Sequence, residues 1–309
     1  MLSPRLKQSI RIWILPIAMV GGIVFHNFMG AISFISPWLI GLMLFLTYCR
    51  LNPKDFRITK FSIVLLCVQL LGGIGIYFII SPFSDVLAQA AFICFFCPTA
   101  TAAPVITGML GGSITKLAAF SLLSNFSVAL IAPIMFSLIG SHGHAEHLSF
   151  LHITGLISIK VVPIILGPLV LALLLEWISP KLHDKCASRQ DISFYVWAIS
   201  LFIVVGNAVS YVLTHLSTNP TEGTQMFYLA LISLGICLIQ FYVGRKIGNK
   251  YGDKVVGAQG LGQKNTVLAI WMSLTFMNPL SSVGPAAYVA WQNTINSLQL
   301  WLKARRTSV

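Results

Sequence analysis

Lys and Arg occupy every second gap between the apolar stretches of this chain, and the gaps in between hold none. They fall at Arg5, Lys7 and Arg11, then at Arg50, Lys54, Arg57 and Lys60, and then at Lys116. The pattern continues with Lys181, Lys185 and Arg189, with Arg245, Lys246, Lys250 and Lys254, and with Lys303, Arg305 and Arg306. Cationic loops stay on the cytoplasmic side of a membrane, so the alternation sets both the number of crossings and their direction. It predicts an all-α protein of the cell inner membrane, with ten spans and both termini cytoplasmic. Of the twenty Lys and Arg residues, only Lys160 and Lys264 fall well inside spans.

Composition agrees. Charged residues make up 9% of the chain and hydrophobic ones 56%, with a mean hydropathy of +0.84, whereas a soluble domain carries roughly a quarter charged residues. A net charge of +12 points to nucleic acid in a soluble protein. Here it is the orientation signal spread over short loops, so the bilayer is the expected partner and nucleic acid is not. The apolar stretch after Arg11 runs to about Gly30 without a small-residue cleavage site, so no cleavable signal is expected. Cys67, Cys94, Cys97 and Cys237 lie in spans, with Cys49 and Cys186 near the cytoplasmic face, which predicts free thiols.

About twenty residues cross a bilayer. The spans are read at roughly 10–30, 33–49, 61–80, 85–110, 113–140, 152–178, 191–213, 224–244, 254–277 and 282–302. The longest outer loop, Ser141 to Phe150, holds His142, His144, Glu146 and His147 at irregular spacing. A solvated loop fits it better than a metal site, and no metal is expected. Ten spans divide into two sets of five, residues 1–140 and 141–309, the second entering the membrane in the opposite sense. A local echo supports the division: Leu15-Pro16-Ile17 with Gly21, against Val162-Pro163-Ile164 with Gly167.

Two spans at corresponding places carry interruptions. Span four holds Pro98 and Pro104, each removing a backbone donor and clashing with a preceding carbonyl. Span nine reads Gly257-Ala258-Gln259-Gly260-Leu261-Gly262-Gln263-Lys264-Asn265-Thr266, rich in glycine and polar side chains at mid-membrane. Irregular backbone at that depth must be buried in protein or line a wet cavity. Both spans are expected to be discontinuous.

Lys264 is the sharpest single feature. An ammonium at mid-membrane costs a few kcal/mol and normally faces a cavity or a partner. No Asp or Glu lies deep in any span. Lys264 can therefore give up its proton, lean on carbonyls at a helix C-terminus, or receive an anionic ligand. Snorkelling to the surface is the bland alternative, and Lys264 is about ten residues from either end of its span. Lys160, some eight residues into span six, can snorkel or line the anion route. Gln69, Ser121, Asn125, Asn207 and Asn293 are polar residues within spans, each able to make an ordinary interhelical hydrogen bond. Half-helices starting at a midplane break present free N–H groups and a positive dipole end, which suits a carboxylate or sulfonate. No metal-ligand cluster, phosphate-binding glycine loop or Ser/His/Asp set occurs, so an enzyme is not expected.

These residues resemble the bile acid:sodium symporter family. The resemblance rests on Cys97-Pro98-x-x-Thr101-Ala102 in span four, Gly262-x-x-Asn265-Thr266-x-Leu268-Ala269 in span nine, and Trp291-x-Asn293 in span ten. It implies that broken helices four and nine cross in a core domain of spans three to five and eight to ten. Spans one, two, six and seven would form a panel domain, with alternating access between the two. By matching position, Thr101 and Asn265 would contact an organic-anion substrate. The departures are as informative. Where the family has Ser-Asn to help hold sodium, this chain has Ala103 and Pro104. A family serine aligns with Leu117, and a threonine one turn later with Ser121. The acid that opens the span-nine motif is replaced by Gln259 or Gly260, and a sodium-binding glutamine by Lys264, while Gln69 is kept.

The sequence therefore predicts a secondary transporter of a bile-acid-like or small carboxylate anion. Its sodium coupling is lost or altered, with the Lys264 ammonium standing where a cation would bind. The candidate substrate contacts are Thr99, Thr101, Lys264, Asn265, Asn293 and Lys160. The candidate ion-coupling residues are Lys264, Gln69, Gln259, Gln263, Ser121 and Asn125. No resident cofactor is expected; the coupling ion, whether sodium, proton or none, and the oligomeric state stay open. Two alternatives stand beside this reading: an arsenite-type metalloid exporter, for which Cys97 is the attraction, and a non-transporting anion-binding membrane sensor.

Overall fold

Helices make up nearly all the regular structure of the computed structural model, which describes residues 17–50, 57–100, 103–140, 149–218 and 222–307. Helical residues 17–24 (α1) lead into α2 (His26–Ile32), a 3-10 turn (Ser33–Ile35), α3 (Ser36–Tyr48) and α4 (Lys60–Ile80). Then come α5 (Asp85–Phe96), α6 (Ala103–Met109), α7 (Ile114–Ile139), α8 (Phe150–Ile178) and α9 (Pro180–Ser188). The chain continues with α10 (Gln190–Thr218), α11 (Glu222–Lys250), α12 (Lys254–Gly262) and α13 (Thr266–Phe276), then a 3-10 turn (Pro279–Ser282) and α14 (Val283–Thr307).

Among the described residues, five helical runs are long and apolar enough to cross a membrane: His26–Tyr48, Lys60–Ile80, Ile114–Ile139, Phe150–Ile178 and Gly223–Lys250. Apolar side chains such as Trp38, Phe78, Ile79 and Leu151 point outward, where a soluble protein would place polar ones. The chain is a multi-pass membrane protein. Asp85–Phe96 and Thr266–Phe276 are shorter apolar helices, because each is one part of an interrupted segment.

Helix starts follow local chemistry. The side chains of Thr59, Ser84, Ser113, Ser149, Asp253 and Asn265 each accept the backbone N–H three residues on, satisfying a donor that the first turn leaves free. Asp253 also accepts an N–H from a second helix start. One carboxylate oxygen caps α12 at Val256, and the other accepts the Ser113 N–H ahead of α7, 4.0 Å from Lys116 Nζ. It thereby ties the starts of α7 and α12 together.

Two expected connections prove to be helical. Between 30 and 33, where a gap was expected, the chain stays wound, with Ser33 Oγ donating to the Gly30 carbonyl at 2.8 Å and no proline until Pro37. The sixth connection holds α9, started by Pro180 in the first turn, where its missing N–H does no harm.

Packing places the interrupted segments side by side. α5 packs on α4, α11 and α14, and α12 packs on α11 and α7. Around them α3 lies against α8 and α10, and α2 against α10, while α13 reaches both α10 and α3. The closest approach joins α11 to α12. A Cβ placed on Gly257 would collide with the Gly244 carbonyl and the Gly248 backbone. Small residues one turn apart thus let two backbones touch, as they do between helices in lipid.

Candidate functional site at two broken helices

α5 stops at Phe96 and α12 stops at Gly262, and the extended pieces that follow pair with each other. Ala100 N–H donates to the Gln263 carbonyl at 3.0 Å, and Asn265 N–H donates to the Pro98 carbonyl at 2.8 Å. Between these bonds Thr99 lies opposite Lys264 in a one-residue antiparallel bridge. Residues opposed in this way are a non-hydrogen-bonded pair, with side chains on the same face. Thr99 and Lys264 therefore leave the ribbon together, and Gln263 and Asn265 leave on the other side.

Side chains satisfy the backbone groups that the interruptions free, as buried polar groups require. Gln69 Nε2 donates to the carbonyls of Phe96 (2.8 Å) and Cys97 (3.2 Å), and its Oε1 accepts from Ser124 Oγ at 2.8 Å. Gln292 Oε1 accepts the Lys264 N–H at 2.9 Å. Tyr288 donates its hydroxyl to the Gly262 carbonyl at 2.9 Å, and Gln240 Nε2 donates to both Tyr288 Oη and the Cys94 carbonyl at 3.0 Å. Thr99 Oγ1 donates to the Gly260 carbonyl at 2.8 Å, and Cys97 Sγ to that of Asn265 at 3.2 Å. The breaks are built structure, not frayed helix.

One lysine is left over. Lys264 is 1% exposed, and its Nζ has no hydrogen-bond partner among the described residues. Its ionisable surroundings are the thiols of Cys97, Cys94 and Cys237, not carboxylates. Gln259 Oε1, Gln263 Oε1, Asn265 Nδ2 and Thr266 Oγ1 are likewise buried without partners among the described residues. Buried polar atoms are nearly always bonded, so such a group of exceptions calls for an explanation.

The structure gathers Thr99, Lys264, Asn265, Gln263 and Gln69 at the paired breaks. Thr101 lies outside the described residues, as does the histidine loop of 142–147. Gln259 sits on α12, its Nε2 bonded to Gln299 Oε1 of α14 at 2.9 Å. Ser121 and Asn125 lie on α7, and Asn125 Nδ2 donates to the Ser121 carbonyl at 2.7 Å. Two candidates stand apart. Lys160 is exposed on α8, off the face buried through Ile153, Ile157, Val161 and Ile165. Asn293 is half-buried and donates to the Val289 carbonyl of its own helix at 2.8 Å. From α14 it is Tyr288 and the neighbour of Asn293, Gln292, that reach the break. A polar stripe at helical spacing, Gln292, Asn296 and Gln299, was the signal for Gln292.

No protein-family model matches the chain. It is 21% identical over 310 residues to the uncharacterised sodium-dependent transporter YocS of Bacillus subtilis (strain 168), across 94% of this chain and 89% of that protein. This similarity and the apolar helices support a membrane transporter. The relative is a transporter by name, which is consistent with the expectation that the chain is not an enzyme.

Proposed function

We propose that the chain is a ten-span secondary transporter of an organic anion in the inner membrane, with both termini cytoplasmic and inverted halves at 1–140 and 141–309. A core of α4 to α7 and α11 to α14 would move against a panel of α1 to α3, α8 and α10. The packing of α3 on α8 and α10, and of α2 on α10, supports such a panel. The observation that carries the reading is Lys264: a buried lysine whose Nζ has no partner among the described residues, opposite Thr99, where two helices break. An incoming carboxylate or sulfonate would supply the missing counter-charge in a setting of low dielectric, where a charged hydrogen bond is strong. The start of α13, whose first turn follows Asn265, adds the positive end of a helix dipole.

Coupling is the second part of the proposal. The relative YocS is sodium-dependent by name. In this chain Ala103, Pro104 and Leu117 bring no side-chain oxygen to the positions where the resemblance places sodium ligands, and Gln69 is engaged by two carbonyls and Ser124. A sodium ion beside the Lys264 ammonium would also meet like-charge repulsion. Sodium dependence is therefore lost or much reduced, the tethered ammonium taking the place of the ion. Uptake of carboxylates into proteoliposomes checks this: replacing sodium by choline is expected to change the rate little. Strong stimulation by sodium at fixed pH, with no effect of a pH gradient, would contradict it.

A further inference from the structure

α11 is longer than a span requires. It holds 29 residues, about 43 Å of helix, against a hydrocarbon core of about 30 Å. Its last turns therefore stand in the headgroup layer. Tyr242, Arg245, Lys246, Asn249 and Lys250 recur there every three or four residues, so they share one face, and all are exposed. The opposite face carries Gly244 and Gly248, against which the start of α12 packs. Lys246 Nζ lies 5.4 Å from the centroid of the Tyr242 ring.

A second cationic segment meets this face. Phe61 and Tyr251 pack with ring centroids 5.4 Å apart, which brings the start of α4, with exposed Arg57 and Lys60, to the end of α11. The single acid in the stretches 57–61 and 245–254 is Asp253. It is already engaged, accepting the N–H groups of Val256 and Ser113 and lying 4.0 Å from Lys116 Nζ. Asp55 lies outside the described residues. Arg57, Lys60, Arg245 and Lys250 thus form no ion pair among the described residues. Further along the two helices, Ile63 of α4 and Leu238 and Ile239 of α11 are exposed and apolar. A surface that is cationic at headgroup depth and apolar beyond it suits an amphiphile with an anionic head. Phosphate oxygens accept charge-assisted hydrogen bonds, and an arginine such as Arg245 can give two at once.

We propose that the rim shared by the start of α4 and the end of α11 binds the headgroup of an anionic phospholipid, whose chains lie along the two helices. The site is independent of the cargo and of coupling at Lys264. Attraction to an anionic headgroup falls off within a Debye length, so cations gathered on one face outweigh the same number scattered. A lipid held there ties the cytoplasmic edge of the proposed core to the headgroup layer.

Purified full-length protein is heated in detergent micelles doped with phosphatidylglycerol or with phosphatidylcholine of the same chains. Phosphatidylglycerol is expected to raise the wild-type thermal midpoint by about 2–4 °C over phosphatidylcholine. The triple variant Arg245→Gln, Lys246→Gln, Lys250→Gln should lose at least half of that difference. Arg57→Gln with Lys60→Gln should lose part of it. All five side chains are exposed, so both variants should fold, and a difference taken within each variant cancels any change in its own stability. The control is Lys181→Gln, Lys185→Gln, Arg189→Gln around α9, which removes equally exposed cations that have Asp184 among them and should keep the difference. No difference in wild-type protein overturns the site. Equal loss in the two triple variants also overturns it, by showing a response to cytoplasmic charge at large. A full difference in the Arg57 and Lys60 variant overturns the shared rim. An equal rise with sn-glycerol 3-phosphate in undoped micelles overturns the lipid in favour of a soluble phosphate ester.

Discussion

Lys264→Met is expected to make the ligand-free protein more stable and, at the same time, a much poorer binder of anions. Methionine keeps an unbranched side chain of similar length and removes the charge. An ammonium at membrane depth costs about 2.5–3.5 kcal/mol on insertion scales, and Lys264 recovers none of it through a hydrogen bond among the described residues. The thermal midpoint should therefore rise. A charge-assisted hydrogen bond contributes about 1.5–3 kcal/mol, so affinity for a carboxylate should fall roughly tenfold to a hundredfold or more. Lys264→Gln should lower affinity similarly while keeping a polar side chain. Opposite signs for stability and binding are the signature of a charge retained for its ligand. Unchanged affinity in Lys264→Gln would remove Lys264 from the site, and a lower midpoint in Lys264→Met would show the ammonium to be serving the fold.

Gly257→Leu is expected to carry one of the largest structural penalties among the described residues. A Cβ there would strike backbone atoms of both Gly244 and Gly248 on α11, and backbone cannot rotate aside as a side chain can. Overpacking usually costs about 1–3 kcal/mol and more where nothing yields, so α12 should part from α11 and the break should lose its support. Gly75→Leu on α4 is the matched control, because a Cβ there meets nothing within 4 Å. Size-exclusion profiles and thermal midpoints in detergent check the pair. Equal behaviour of the two variants would mean that the α11–α12 contact is not the tight joint described.

Much of this was visible in the chain before any coordinates. Prolines 98 and 104, and the glycines around Gln259, announce the two interruptions because their effects are local and act through the backbone. What sequence could not supply was direction. Asn293 and Gln292 are adjacent on α14, yet only Gln292 reaches the Lys264 backbone, since a step of one residue turns a helix by about 100°. Lys160 and Lys264 look alike as lone cations in spans, but one is exposed on α8 and the other is 1% exposed beneath packed helices. Gln69 is an ion-ligand candidate through the resemblance, and its three hydrogen bonds to other residues emerge only when α4 is laid against α5 and α7. The gap expected at 30–33 failed for a different reason: Gly30 to Ser36 contains no proline and keeps itself wound.

Lys264 as an anion receptor is tested most directly by an experimental structure with a bromine-labelled carboxylate bound, the bromine located by its anomalous signal. Carboxylate oxygens are expected roughly 2.7–3.2 Å from Lys264 Nζ, beside Thr99 where the two breaks pair. An anion bound elsewhere with the amine still unpartnered, or an amine turned toward the lipid, would contradict it.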